Sequence, residues 1–188
     1  MLWPDLEEFA ARNALSVCLH RLRQHLGRND LVVRDGDGYS LHAECSVDLW
    51  EIDRVLNAVR LRDHLNDATR TSLFSIWKRL REGRPSRMQR WEWFEPTERR
   101  LAELRVEIAH RLASDALERG ETRSALELAS DIIEYDACDE PARELTIRAY
   151  LREGDRAAAM RHFRQYRETL LAELQCEPSA TIAALVMQ

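Results

Sequence analysis

The feature that most constrains this chain is a short phrase that occurs twice. Leu117-Glu118-Arg119-Gly120 is followed by Glu121-Thr122 and then Arg123-Ser124-Ala125-Leu126. Thirty-four residues later, Leu151-Arg152-Glu153-Gly154 is followed by Asp155-Arg156 and then Ala157-Ala158-Ala159-Met160. Leu117 maps to Leu151, Gly120 to Gly154, Ala125 to Ala159 and Leu126 to Met160. Each copy reads as an amphipathic segment, a glycine and a second amphipathic segment. Such a unit is a helical hairpin that cannot bury its apolar face alone, so copies stack. Gly120 and Gly154 are expected at positive φ, where they end the first helix of each hairpin. Ala125 and Ala159 are expected to let the two helices approach closely.

The period matches tetratricopeptide spacing. The expected fold is therefore mainly α, a tetratricopeptide-like helical repeat domain. A chain of 188 residues is long enough to bury a real core. Charged residues make up 32% and the net charge is only −5, which excludes a basic tail or an acidic disordered chain. No run of 18 apolar residues is present, and Met1 to Glu8 lacks a basic start followed by an apolar block. A cytoplasmic protein with no membrane partner is expected. Cys18, Cys45, Cys138 and Cys176 form no CxxC pair, so reduced, buried thiols are expected.

Taken in order, Asp5 to Leu26 reads as a helix with an apolar stripe of Leu15, Cys18, Leu19, Leu22 and Leu26, stopped by Gly27. Two β-prone runs, 31–34 and 39–42, flank Asp35-Gly36-Asp37-Gly38 and predict a hairpin. From Ser46 the pattern is helical throughout. A helix capped by Asp48 runs to about His64, with Leu49, Trp50, Ile52, Leu56 and Val59 inward. Others follow over 67–80, 97–119, 121–135, 141–153 and 155–174, with a short last helix capped by Ser179.

Leu-Trp-Pro-Asp, then a helix ending His20-Arg21-Leu22-Arg23-Gln24-His25-Leu26-Gly27, then Val-Val-Arg-Asp-Gly-Asp-Gly-Tyr-Ser-Leu, resembles the C-terminal half of an OmpR/PhoB-type winged helix. The resemblance implies a recognition helix over about 11–26 and a wing over 31–42. It implies DNA contacts from Arg12, Asn13, Ser16, Val17, His20, Arg21 and Arg23, with Arg34 on the wing. The physics suits this: an α-helix fits the major groove, and wing arginines can reach phosphate or the minor groove. Only two residues precede Trp3, so the winged helix is expected here as a partial domain, 1–44, that exposes Leu15, Leu19 and Leu22.

Residues 46–188 resemble the bacterial transcriptional activator domain. The matching features are helix-Gly-x-x-x-x-Ala-Leu, Asp-x-x-Asp-Glu-Pro, Ala-Tyr-Leu-Arg-Glu-Gly-Asp-Arg-Ala-Ala-Ala and Tyr-Arg-Glu-Thr-Leu-Leu-Ala-Glu-Leu-x-x-Glu-Pro-Ser. In SARP-type regulators that domain follows a winged helix, in the order seen here. The resemblance implies an activator that binds duplex promoter DNA, contacts RNA polymerase and can form a homodimer. A helical-repeat interaction or effector-sensing module that does not bind DNA, because its winged helix is incomplete, is the alternative.

Other motifs point less far. Cys18-x-His20 and His42-x-x-Cys45 have ligand types without a second matching pair, and the Asp-Gly-Asp-Gly turn lacks the calcium-loop spacing. No phosphate-binding, dinucleotide or nucleophile-elbow motif is present, so neither an enzyme nor a cofactor is expected. Lys78, Arg79, Arg81, Arg84, Arg87 and Arg90 form a basic cluster, read as a solvated helix end with a nucleic-acid patch as the alternative. Trp91-Glu92-Trp93-Phe94 is read as a packing anchor over a stacking site. The alternating charges of Arg100 to Arg111 are read as a solvated helix surface.

Overall fold

The computed structural model describes residue 3 and residues 5–60, 64–83 and 92–187, without the Trp93 side chain. The chain is mainly α with one small β-hairpin, and it divides into two compact units, Met1–Arg54 and Val55–Gln188.

The first unit begins with α1 (Glu8–Leu26), which Gly27 ends at φ +66. Strands β1 (Val32–Asp35) and β2 (Gly38–Leu41) pair antiparallel, with Val32 opposite Leu41 and Asp35 opposite Gly38. Gly36, the first of the two loop residues, takes the φ of +58 that a tight hairpin needs. The link from α1 to β1 is held by Arg28, which donates to Asp30 at 2.7 and 3.0 Å and to Glu44 at 3.2 Å. The Arg28 hydrogen bonds hold the Asp30 carboxyl down at about 2.

The start of α2 (Asp48–Arg60) differs by one place from expectation. Asp48 lies inside the helix, its Oδ1 accepting from the Leu49 N–H at 2.9 Å, because the helical ladder already starts at the Val47 carbonyl. Ile52, Leu56 and Val59 are buried and Leu49 is half-buried, but Trp50 is exposed. At 100° per residue Trp50 falls well off the Ile52–Leu56–Val59 stripe.

The second unit is a run of helices, each packed on the next: α3 (Asp67–Glu82), α4 (Glu95–Arg119), α5 (Thr122–Tyr135), α6 (Glu140–Arg152), α7 (Arg156–Glu173) and α8 (Ala180–Met187). Asn66, Asp139, Asp155 and Ser179 accept from backbone N–H groups three residues on, at 2.8, 2.8, 2.8 and 3.4 Å. They occupy N-cap donors that would otherwise be orphaned. Phe94 is buried in the 3-10 turn Glu92–Phe94 that leads into α4, as an anchor should be. Trp91, Trp93's side chain, Arg84, Arg87 and Arg90 lie outside the described residues.

The two copies of the repeated phrase take matching geometry. Gly120 and Gly154 have φ of +81 and +76, and Ala125 and Ala159 are both fully buried. Arg152 donates to the Leu117 carbonyl and Thr122 pairs with Glu153, so the turn of one hairpin is joined to that of the next. A Cβ at position 154 would meet no atom within 4 Å, so substitution there isolates backbone strain from crowding. Gly154→Val should cost about 1–3 kcal/mol, and Gly154→Asn clearly less, because Asn tolerates the left-handed region. Urea unfolding of the pair reads this; equal midpoints for valine and glycine would refute it.

Two expectations about exposure fail. Cys18 and Cys176 are exposed and Cys45 and Cys138 half-buried, all as free thiols. Cys18 is exposed because α1 buries none of its residues, and Cys176 because it lies in the turn between α7 and α8. The charges of Arg100 to Arg111 also do more than pair along their own surface. Glu107 accepts two hydrogen bonds of 2.7 Å from Arg60, and Arg105 is turned inward to within 3.4 Å of Asp131. The Arg60–Glu107 pair stays exposed, whereas Arg105 lies on the part of α4 that packs against α3 and α5 and is drawn out of water.

Candidate nucleic-acid interface

The polar residues singled out on the first helix lie along one part of α1. At 100° per residue, Arg12, Ser16, His20, Asn13, Val17 and Arg21 spread in that angular order over about half the circumference. All six are exposed. The opposite side carries Leu15, Leu19, Leu22 and Leu26. Leu15 and Leu19 are half-buried, whereas Leu22 and Leu26 are exposed, so the expected exposure holds only for part of the stripe.

The exposed side chains differ in freedom. Arg12 is drawn back to Glu8, one turn earlier, at 2.8 Å, and the Ser16 hydroxyl donates to the Arg12 carbonyl at 3.0 Å. Both contacts are solvent-exposed and local, so a stronger anion can compete for the guanidinium at little cost. Arg34 follows on β1 and is exposed, its Nε donating to the Gly36 carbonyl at 3.4 Å.

Arg23 is different. It is half-buried, and its guanidinium donates to the carbonyl of Val32, the buried residue of β1. Its Nε is buried without a partner. Arg23 therefore clips α1 to the hairpin and fixes the angle at which the helix leaves it. Of the eight residues named from the sequence, seven are presented to solvent and Arg23 is spent on positioning.

Electrostatics are local in this unit. Residues 1–54 hold six arginines and ten carboxylates, so the unit as a whole does not attract an anion. Any attraction must come from the α1 arc and Arg34, away from the acidic turn and loop.

The motifs with metal-ligand types are engaged otherwise. The His42 Nδ1 accepts from the Glu44 N–H at 3.3 Å, and Cys45 donates to the Leu31 carbonyl at 3.7 Å. No group of three or more His, Cys, Asp or Glu side chains suited to a metal occurs among the described residues. No described helix is long and apolar enough to cross a membrane.

In the second unit, Lys78 pairs with Glu82 at 3.9 Å, and Arg81 lies 3.2 Å from Glu127 and 3.6 Å from Asp131. That part of the basic cluster is neutralised within its own unit. An open cleft of about 600 Å³ on α4 is lined by Glu103, Glu107, His110, Arg111, Ser114 and Tyr135. Its histidine is committed: His110 Nε2 lies 2.9 Å from the Asp139 carboxylate. Although burial pushes the Asp139 carboxyl up, its hydrogen bonds to His110 and the Ala142 N–H outweigh this and hold it low. The His110–Asp139 pair joins α4 to the α5–α6 turn.

Comparison with known proteins bears on the second unit. The family model described as bacterial transcriptional activator domain matches residues 77–188, more than half of the chain. A search of the curated proteins finds no match.

Proposed function

Since the chain belongs to the bacterial transcriptional activator domain family, a family of transcription regulators and not of enzymes, we propose that it is a DNA-binding activator of the SARP type. Residues 1–44 form the DNA-contacting part, with the recognition helix over about 11–26 and the wing over 31–42. Residues 46–188 form the tetratricopeptide-like activator domain, which serves dimerisation or contact with RNA polymerase. Arg12, Asn13, Ser16, Val17, His20 and Arg21 meet base edges and phosphates in the major groove of promoter DNA. Arg34 meets phosphate from the wing, and Arg23 holds the helix at its docking angle.

The observation that supports this reading most is the exposed polar arc of α1 beside a hairpin bearing an exposed arginine. Helix and strand ribbon are the two elements that fit the major groove. A second reading, an interaction module that makes no DNA contact, draws support from the excess of carboxylates in residues 1–54 and from the exposed Leu22 and Leu26.

Retention on duplex DNA at stepped salt separates the two. Phosphate contacts release counterions, so affinity should fall steeply as salt rises. Arg21→Ala combined with Arg34→Ala should flatten the log–log slope by about two, one for each lost phosphate contact. Absence of retention at low salt would remove the DNA-binding reading in favour of the second.

A further inference from the structure

Phe9 stands out on α1. It lies in the first turn and is 78% exposed. It precedes Arg12 by three residues and Asn13 by four, the spacings that place helix side chains on one side. Ser16 and His20, seven and eleven residues on, continue the same line. The ring therefore projects from the polar arc and not from the leucine stripe. Arg12, folded back onto Glu8 at 2.8 Å, leaves the Phe9 end of the arc open. A phenyl ring there gains nothing from water, and α1 buries none of its residues for it to join.

The major groove offers one apolar feature, the 5-methyl group of thymine, and apolar side chains such as Phe are the groups that read it. The N-terminal residues of a docked recognition helix are those that reach base edges. We propose that Phe9 reads a thymine methyl and is a specificity-determining residue of this helix. The inference rests on the DNA-binding reading above and adds to it an apolar contact that polar spacing alone does not reveal. The neighbouring Glu7 and Glu8 carboxylates disfavour phosphate at this end of the helix, so Phe9 faces the groove floor while the arginines further along take the backbone.

The test uses the full 188-residue chain and a randomised duplex library. Sites enriched by the chain are resynthesised with each thymine singly replaced by deoxyuridine, which removes only the methyl. One replacement should weaken binding about fourfold, the worth of one buried methyl. Phe9→Ala should bind the thymine site about as weakly as wild type binds the deoxyuridine site, and should not distinguish the two. Phe9→Leu should restore part of the discrimination. Because Phe9 is exposed, the melting temperature should not change in either variant. Site-specific binding with no thymine sensitive to methyl removal, or equal sensitivity in wild type and Phe9→Ala, would overturn the role of Phe9 and leave the DNA-binding reading intact. Failure of the wild-type chain to enrich any site, together with no retention on duplex DNA at low salt, would overturn both.

Discussion

Asp131→Leu should destabilise the second unit by about 3–5 kcal/mol, the usual cost of removing one partner from a buried ion pair. Asp131 is 3% exposed and sits on α5. Its Oδ2 accepts from the Trp77 indole N–H of α3 at 2.9 Å and lies 3.4 Å from Arg105 Nε of α4. Its Oδ1 lies 3.6 Å from Arg81 Nε, whose guanidinium also stands 5.2 Å from the centre of the Trp77 ring. One carboxylate thus ties three helices. Leucine would leave a buried indole N–H and the largely buried Arg105 without an anion, and neither can turn to water without unpacking α3 or α4. Asp131→Asn keeps an acceptor for the indole and loses only the charge, so its cost should be markedly smaller. Denaturant unfolding of the three proteins orders them wild type, Asn, Leu. Equal stability of Leu and wild type would mean that the carboxylate is dispensable and that apolar packing alone joins the three helices.

That carboxylate also marks where the sequence stopped being readable. Helix positions followed from apolar spacing, since Leu104, Ile108, Leu112 and Ala116 recur on one side of α4 and all are buried. Gly120 and Gly154 were legible because a repeated glycine between two amphipathic segments has a single backbone use. Asp131 and Arg105 were not, because a charged side chain at a helical position reads as solvated unless its partner is known. Here Trp77 and Asp131 are 54 residues apart, too distant for any helical period to connect. The same limit applies in the first unit. The exposed arc of α1 followed from spacing, while the inward turn of Arg23 depends on where the hairpin folds back, which only tertiary structure supplies. Phe9 was within reach: its spacing to Arg12 and Asn13 is plain, but a single apolar residue before a polar run does not alter the period.

Tyr166→Ala should cost a further about 3–5 kcal/mol in its own right, as for other large aromatic truncations in a core. Tyr166 is 1% exposed and belongs to the cluster of Ile147, Ala159, Leu170, Ile182 and Val186, which joins α6, α7 and α8. Its hydroxyl donates to Glu140 Oε2 at 3.0 Å, and the same oxygen accepts from the Ser179 N–H at 3.2 Å. Arg143, itself buried and donating to the Ala137 carbonyl, stands 5.5 Å from the centre of the ring. The ring fills the core, while the hydroxyl holds the carboxylate that fastens the segment leading into α8. Tyr166→Phe separates the two: it keeps the packing and should cost only about 1 kcal/mol, the net worth of one hydrogen bond. That smaller cost should depend on pH. Burial pushes the Glu140 carboxyl up, but the Ser179 and Tyr166 bonds outweigh it and leave the group below its ordinary 4.5. A depressed carboxyl contributes stability above its unfolded value and loses it as pH falls through its folded value. The gap between Tyr166→Phe and wild type should therefore be full near neutrality and shrink below pH 4.5. The gap between Tyr166→Ala and wild type should persist there, because the lost packing carries no proton. If both gaps closed together on acidification, the hydroxyl–carboxylate bond and not the ring would be what holds α8 against α6 and α7.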